Sequence, residues 1–140
     1  VNETPNKQRP LLIWLSRHKP AKANIPDLIG YDVVQVSFRY TSWQQAYQDI
    51  VFASNGRWPA VIAYVISEEL EKGFIRFIKA HMPNVILLRM WTENGEDPNQ
   101  VSGAKVWFVK TTLEDNRRIM RQREMFDLQS HLKSSHAEGK

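Results

Sequence analysis

Ser16, Arg17, His18 and Lys19 follow one another directly after the apolar run LLIWL. They set a hydroxyl, a guanidinium, an imidazole and an ammonium at one point of the chain, all able to donate hydrogen bonds. Such a set suits an anion, because arginine and lysine neutralise charge and a serine hydroxyl bonds a phosphate oxygen. His18 adds a group that can act as acid, base or donor near neutral pH. His18 is therefore the candidate acid or base, and Ser16, Arg17 and Lys19 are groups that could hold an anion.

The run that delivers them, residues 11–15, lies between Pro10 and a polar turn and reads as a strand buried on both faces. Residues 31–38 (YDVVQVSF) form a second strand by their β-branched and aromatic content, ending at Arg39, Tyr40 and Thr41. Residues 59–66 (PAVIAYVI) form a third, almost uninterrupted in apolar side chains, which ends at Ser67 and Glu68. Residues 84–90 (NVILLRM) form a fourth, with Arg89 beside Trp91 and Thr92, and residues 104–109 (AKVWFV) a fifth, before Lys110, Thr111 and Thr112.

Helical spacing fills the intervals. Ala21, Ile25, Leu28 and Ile29 give a first helix that stops at Gly30 and that Pro26 either starts or shortens. Ser42 caps a second through Trp43, Ala46, Tyr47, Ile50 and Val51, which Asn55-Gly56 closes. Ser67 caps a third, with Leu70, Phe74, Phe77 and Ile78 on one side and Glu68, Glu69, Glu71 and Lys72 on the other. The third residue after Ser67 is Leu70, so no capping box forms and the serine hydroxyl caps alone; the helix stops at Met82 before Pro83. A last helix starts at Thr112 or Asp115 and carries Leu113, Ile119, Met120 and Phe126 among Arg117, Arg118, Arg121 and Arg123. Residues 1–10 read as a flexible lead, 91–103 as an exposed or mobile loop and 129–140 as a disordered tail.

Strands alternating with helices over short loops predict a single α/β domain over residues 11–128. The expected form is a Rossmann-like or flavodoxin-like, mostly parallel five-stranded sheet with helices on both faces. Ligands of such sheets bind beyond the carboxyl ends of the strands, where the strand order reverses. That rule gathers Ser16, Lys19, Arg39, Tyr40, Thr41, Ser67, Arg89, Trp91, Lys110 and Thr111 as ligand-binding residues, with Tyr40 or Trp91 available to stack on a base. Polar strand ends also arise without any ligand, because the chain meets water there.

Composition narrows the alternatives. At 140 residues the chain is one domain's worth, and with no cysteine it has neither disulfides nor thiolate chemistry nor cysteine-bound zinc. Its apolar runs fall short of a membrane span, so a soluble, cytoplasmic protein with no membrane partner is expected. A net charge of +4 mildly favours an anionic partner. The dinucleotide fingerprint, the Walker loop and the nucleophile elbow are all absent. No histidine or carboxylate grouping makes a metal site, and no cofactor is expected. His81 fits a helix carboxyl end, while His131 and His136 fall in the tail. Glu68, Glu69, Glu93, Glu96 and Asp97 read as solvated, and Trp14, Trp58 and Trp107 as core or edge packing.

The stretch IWLSRHKPAKA, residues 13–23, resembles the opening of small CRISPR-associated Rossmann-like proteins related to the ring nucleases of type III systems. The order of elements, including VIAYVISEELEKG, is similar too. The resemblance implies a homodimer that binds or cleaves a cyclic oligoadenylate, or another phosphate-bearing signal, without a metal. It carries over Ser16, Arg17 and His18, with Arg17 stabilising the transition state and His18 as acid or base. Arg39, Arg89 and Lys110, placed by the strand-end rule alone, would hold further phosphates. The alternative is a non-catalytic interaction subunit that contacts protein or nucleic acid through residues 91–103 and the basic last helix.

Overall fold

A computed structural model describes residues 8–36, 41–92, 98, 103–111 and 125–138, with side chains as far as 134. The element order is β1 (Leu11–Leu15), a 3-10 turn (Lys22–Asn24), α1 (Ile25–Leu28), β2 (Asp32–Val36), α2 (Trp43–Ser54), β3 (Val61–Tyr64), α3 (Glu68–His81), β4 (Ile86–Thr92), β5 (Val106–Lys110) and α4 (Leu128–Glu138). The strands form one mixed, mostly parallel α/β sheet of five in the order β2-β1-β3-β4-β5. β1, β2, β3 and β4 run parallel, and β5 runs antiparallel to β4.

Strand alternation divides the core. Leu11, Ile13 and Leu15 of β1 pack with Ala46 and Ile50 of α2 and with Phe74, Ile75 and Ile78 of α3. Leu12 and Trp14 belong to a second cluster with Met90, Phe108, Leu28 of α1 and Leu128 and Leu132 of α4. Each fully buried aliphatic or aromatic side chain in these clusters contributes about 1.5–3 kcal/mol.

Local chemistry explains the helix ends. The Ser42 hydroxyl accepts from the Gln45 N–H at 3.2 Å, and Asn55 in the left-handed region closes α2, both as its sequence implies. Ser67 stands at the start of α3, but its hydroxyl makes no capping bond; its carbonyl accepts from Leu70 and Glu71 N–H instead. Pro26 lies in the first turn of α1 and holds it to four residues, so the expected helix over 21–29 is split between the 3-10 turn and α1.

Other departures from the sequence pattern have physical causes. Residues 129–138 are not a frayed tail but belong to α4, which is tied down: Asp127 Oδ1 accepts from Gln129 and Ser130 N–H, and Gln129 Nε2 donates to the carbonyls of Asp27 and Ile29. Leu132 Cδ2 sits 2.5 Å from where a Cβ on Gly30 would stand, and the φ of +93° at Gly30 itself favours glycine, so α4 packs closely on this turn. Glu71, expected on the solvated side of α3, is buried, and Trp58, expected in packing, is 61% exposed. Trp91 and Thr92 continue β4 and are not part of a loop. Most of the expected last helix, residues 112–124, lies outside the described residues, as do 1–7, 93–97 and 99–102 within the expected lead and loop. No described helix is long and apolar enough to cross a membrane.

Candidate functional site

The chain leaves β1 outward to β2 and returns on the other side as β3, so the strand order reverses between β1 and β3. β1 ends in the Ser16-Arg17-His18-Lys19 turn, and backbone bonds hold that turn firmly. The Trp14 indole, itself buried, donates to the His18 carbonyl at 2.9 Å, and His18 N–H donates to Ser16 Oγ at 3.2 Å. From β2, Gln35 Nε2 donates to the Ser16 carbonyl at 3.1 Å.

Beside the turn lies a cleft lined by Trp14, Ser16, His18, Lys19 and Ala21 on one wall and by Met90, Pro98, Gly103, Ala104 and Val106 on the other. The cleft is shallow: its enclosed volume is about 10 Å³, room for about one water, so a larger ligand would lie across its open mouth. Asn24 sets its width. This fully buried amide donates to the Val106 carbonyl at 3.0 Å and accepts from the Val106 N–H at 2.9 Å, so a side chain replaces a neighbouring strand and ties the two walls together. Nδ2 also donates to Asp27 at 2.9 Å.

The opposite face of the sheet holds a second polar cluster. Arg89, 5% exposed, donates from Nη1 to the Ile66 carbonyl at 2.5 Å and lies 3.6 Å from Glu71 Oε1. Its guanidinium sits 4.4 Å above the Trp91 ring. The Tyr64 hydroxyl donates to Glu71 Oε2 at 2.8 Å and shares a further bond with Thr111 Oγ1 at 3.0 Å. Burial, and then the Glu71 carboxylate beside it, push the Tyr64 phenol well above its ordinary value. Among the described residues Arg89 Nε has no hydrogen-bond partner.

The residues expected at a single edge are thus divided. Ser16, His18 and Lys19 share the cleft, and Arg17 is exposed next to them in the chain. Arg89 and Trp91 alternate with the cleft-lining Met90 and so point to the other face, where both are buried against each other and Trp91 has no ring face open for a base. Lys110 and Thr111 are displaced because β5 is antiparallel: Lys110 pairs with Leu88 and Thr111 N–H donates to the Leu87 carbonyl, away from the carboxyl end of β4. Thr111 is buried in the Tyr64 cluster, whereas Lys110 is exposed. Thr41 and Ser67 are exposed at the starts of α2 and α3, and Arg39 and Tyr40 lie outside the described residues.

The cleft also uses residues that the sequence reading passed over: Gln35, Asn24, Pro98 and Gly103. Asn24 falls inside the helix expected over 21–29, and its partner is 82 residues away, so no local signal marked it. Among the described residues no cluster of three or more histidine, aspartate or glutamate side chains could hold a metal ion. Comparisons with protein-family models, with curated proteins and with solved structures found no match to this chain.

Proposed function

We propose that the cleft at the end of β1 binds a phosphate-bearing nucleotide, in a Rossmann-like domain whose sheet is covered by helices on both faces. One observation carries the reading: Ser16, His18 and Lys19 line one cleft at the carboxyl end of a strand that flanks the reversal in strand order. Lys19 supplies charge to a phosphate, Ser16 a hydroxyl, and His18 a ring nitrogen. The walls are preset by the Trp14, Gln35 and Asn24 bonds, so little ordering remains to oppose binding.

By its resemblance at residues 13–23, the ligand is a cyclic oligoadenylate and the reaction its metal-independent opening. The ribose 2′-oxygen attacks the adjacent phosphorus while the bond to the 5′-oxygen breaks, leaving a 2′,3′-cyclic phosphate and a free 5′-hydroxyl. His18 takes the 2′ proton or gives one to the leaving oxygen, and Arg17 with Lys19 stabilises charge on the phosphoryl oxygens. Arg89 has no part in this, since its guanidinium is engaged with Glu71 and Ile66.

The test is incubation of the purified chain with cyclic tetra- and hexa-adenylate in EDTA, following both binding and linear products. Cleavage that His18→Ala abolishes supports the enzyme, and binding without cleavage supports a sensor. Absence of binding overturns the reading. A second reading, a non-catalytic interaction subunit, is favoured by the exposed Phe52 and Trp58 side chains. It predicts indifference to His18→Ala and Arg17→Ala.

A further inference from the structure

The two flanks of α3 carry different chemistry. Phe77 packs on Trp43 and Tyr47 of α2, at 4.7 and 4.6 Å between ring centroids, so that flank faces α2. Lys72 and Lys79 lie roughly half a turn round the helix from Phe77, with Arg76 between them along the axis, and all three are exposed. Because α2 stands over β1 and β2, the cationic flank overlooks β4 and β5. Trp107 and Val109 of β5 are only partly buried, and they share this face because they alternate with Val106 and Phe108 of the opposite core. Trp107 pairs with Trp91, whose ring lies under Arg89, itself 3.6 Å from Glu71. The Trp107 ring therefore stands one strand outward from the first turns of α3, and Lys105 lies over it at 4.6 Å.

Helix stability does not account for the row of cations. A positive charge favours a helix carboxyl end, but that effect fades beyond the last turn, which holds Lys79 and neither Lys72 nor Arg76. Lys72 and Arg76 are four residues apart and Arg76 and Lys79 three, spacings at which like charges repel. Arg76 and Lys79 have no acid at those spacings, and among the described residues none of the three enters an ion pair. Glu68, four residues before Lys72, offsets the row at its start, so its most positive end is Arg76 and Lys79.

We infer that a single strand of nucleic acid binds along this flank, with its phosphates on Lys72, Arg76 and Lys79 and a base on Trp107. Charge complementarity selects the polyanion, since the three cations span about 10 Å of the helix axis and an extended strand presents successive phosphates over such a length. The ring selects a single strand over a duplex, whose paired bases keep their faces stacked inside. Lifting Lys105 off the ring costs a factor of about five at most, whereas a stacked base returns about tenfold or more, and the displaced ammonium then meets a phosphate. None of these residues lines the cleft, so the surface stands or falls apart from the nucleotide reading.

The experiment is fluorescence anisotropy of a short labelled oligothymidylate with the full chain over a salt series. Binding that weakens as salt rises is expected. Arg76→Gln combined with Lys79→Gln should lower the slope of log affinity against log salt by about 1.4, at about 0.7 for each lost phosphate contact, with an unchanged circular dichroism spectrum because both side chains are exposed. Trp107→Leu should weaken binding about tenfold and leave that slope in place; should this variant not fold, the double glutamine variant decides alone. Absence of binding at low salt overturns the inference, and so does binding that the double glutamine variant leaves unchanged. Poly-glutamate or anionic vesicles that compete as well as unlabelled oligothymidylate would assign the cations to an acidic protein or a lipid surface and overturn it too.

Discussion

The cleft beside β1 and the cluster around Arg89 are built from the same kinds of side chain on opposite faces of one sheet, yet they differ in what their polar groups bond. In the cluster, Arg89, Glu71, Tyr64 and Thr111 are all buried and bond mainly to one another and to the Ile66 carbonyl. In the cleft, main-chain carbonyls take the bonds from Trp14 and Gln35, and the His18 and Lys19 side chains border open space. A basic residue at a strand end is therefore not in itself a ligand group; its register decides whether it meets a carboxylate or the solvent.

That contrast makes stability and binding separable, and the largest effect is expected at the cluster. Arg89→Met leaves the Glu71 carboxylate buried without its cation and should cost about 3–5 kcal/mol, read by chemical denaturation. Arg89→Met with Glu71→Leu should recover much of that loss, because neither charge then remains buried. If the single variant were as stable as wild type, the cluster would be a hydrated pocket and the contrast would fail.

Next comes the seating of α3, which carries Glu71. A Cβ on Gly73 would stand 2.6 Å from Trp43 Cδ1 and Nε1, against the ring that packs on Phe77 at 4.7 Å between centroids. Gly73→Ala should destabilise by about 1–3 kcal/mol, and Trp43→Leu in the same chain should relieve it. Equal losses with and without Trp43→Leu would assign the glycine another role.

Smaller effects are expected on the cleft's face, where α4 is anchored. Tyr31→Phe removes the 2.7 Å bond to the Leu128 carbonyl and should cost about 1 kcal/mol. Burial, and secondarily the charge of Asp127, push the Tyr31 phenol up to about 12. Its neutral form is thus favoured by folding, and the contribution is complete below the unfolded value near 10 and is lost as pH rises through about 12. Asp127 has the opposite sign. The N–H groups of Ser130 and Gln129 hold its carboxyl below the ordinary 3.8, so its contribution is present above that value and fades as pH falls below it. Melting curves of Tyr31→Phe and Asp127→Ala should therefore converge on wild type at the alkaline and acid ends respectively.

The smallest change in stability is expected at the cleft itself. His18→Ala should move the unfolding free energy by less than about 1 kcal/mol, while ligand binding or turnover is lost. A large destabilisation would make His18 a structural residue and erase the distinction between the two regions.

The fold class was legible in the strands because each is a short run of β-branched and aromatic residues with punctuation at both ends, as in VIAY and DVVQV. The direction of β5 was not, since WFV reads alike whichever way the strand runs, and with it went the placement of Lys110 and Thr111. Periodicity placed α3, but the helix is wide enough that Glu71, one turn before Phe74 and Ile75, is buried under Tyr64. α4 escaped notice because its anchors are Tyr31, Gly30 and two carbonyls near residue 28, all distant in sequence. The cleft was half legible: the Ser16–Lys19 turn can be read locally, whereas its second wall exists only once β5 is in place.

The Asn24 amide joins positions 82 residues apart, and Tyr31 and Leu128 are separated by 97. Loops of that length close slowly, so these bonds belong to the late stage of folding. On the ribosome, β1 to β4 can assemble as a parallel sheet before residue 106 has left the exit tunnel; β4 is then the unfinished edge, and the cleft beside the Ser-Arg-His-Lys turn still lacks the part of its wall that Val106 supplies. Amide exchange at Val106 should accordingly report the opening of the cleft, at lower free energy than exchange within β1 and β3.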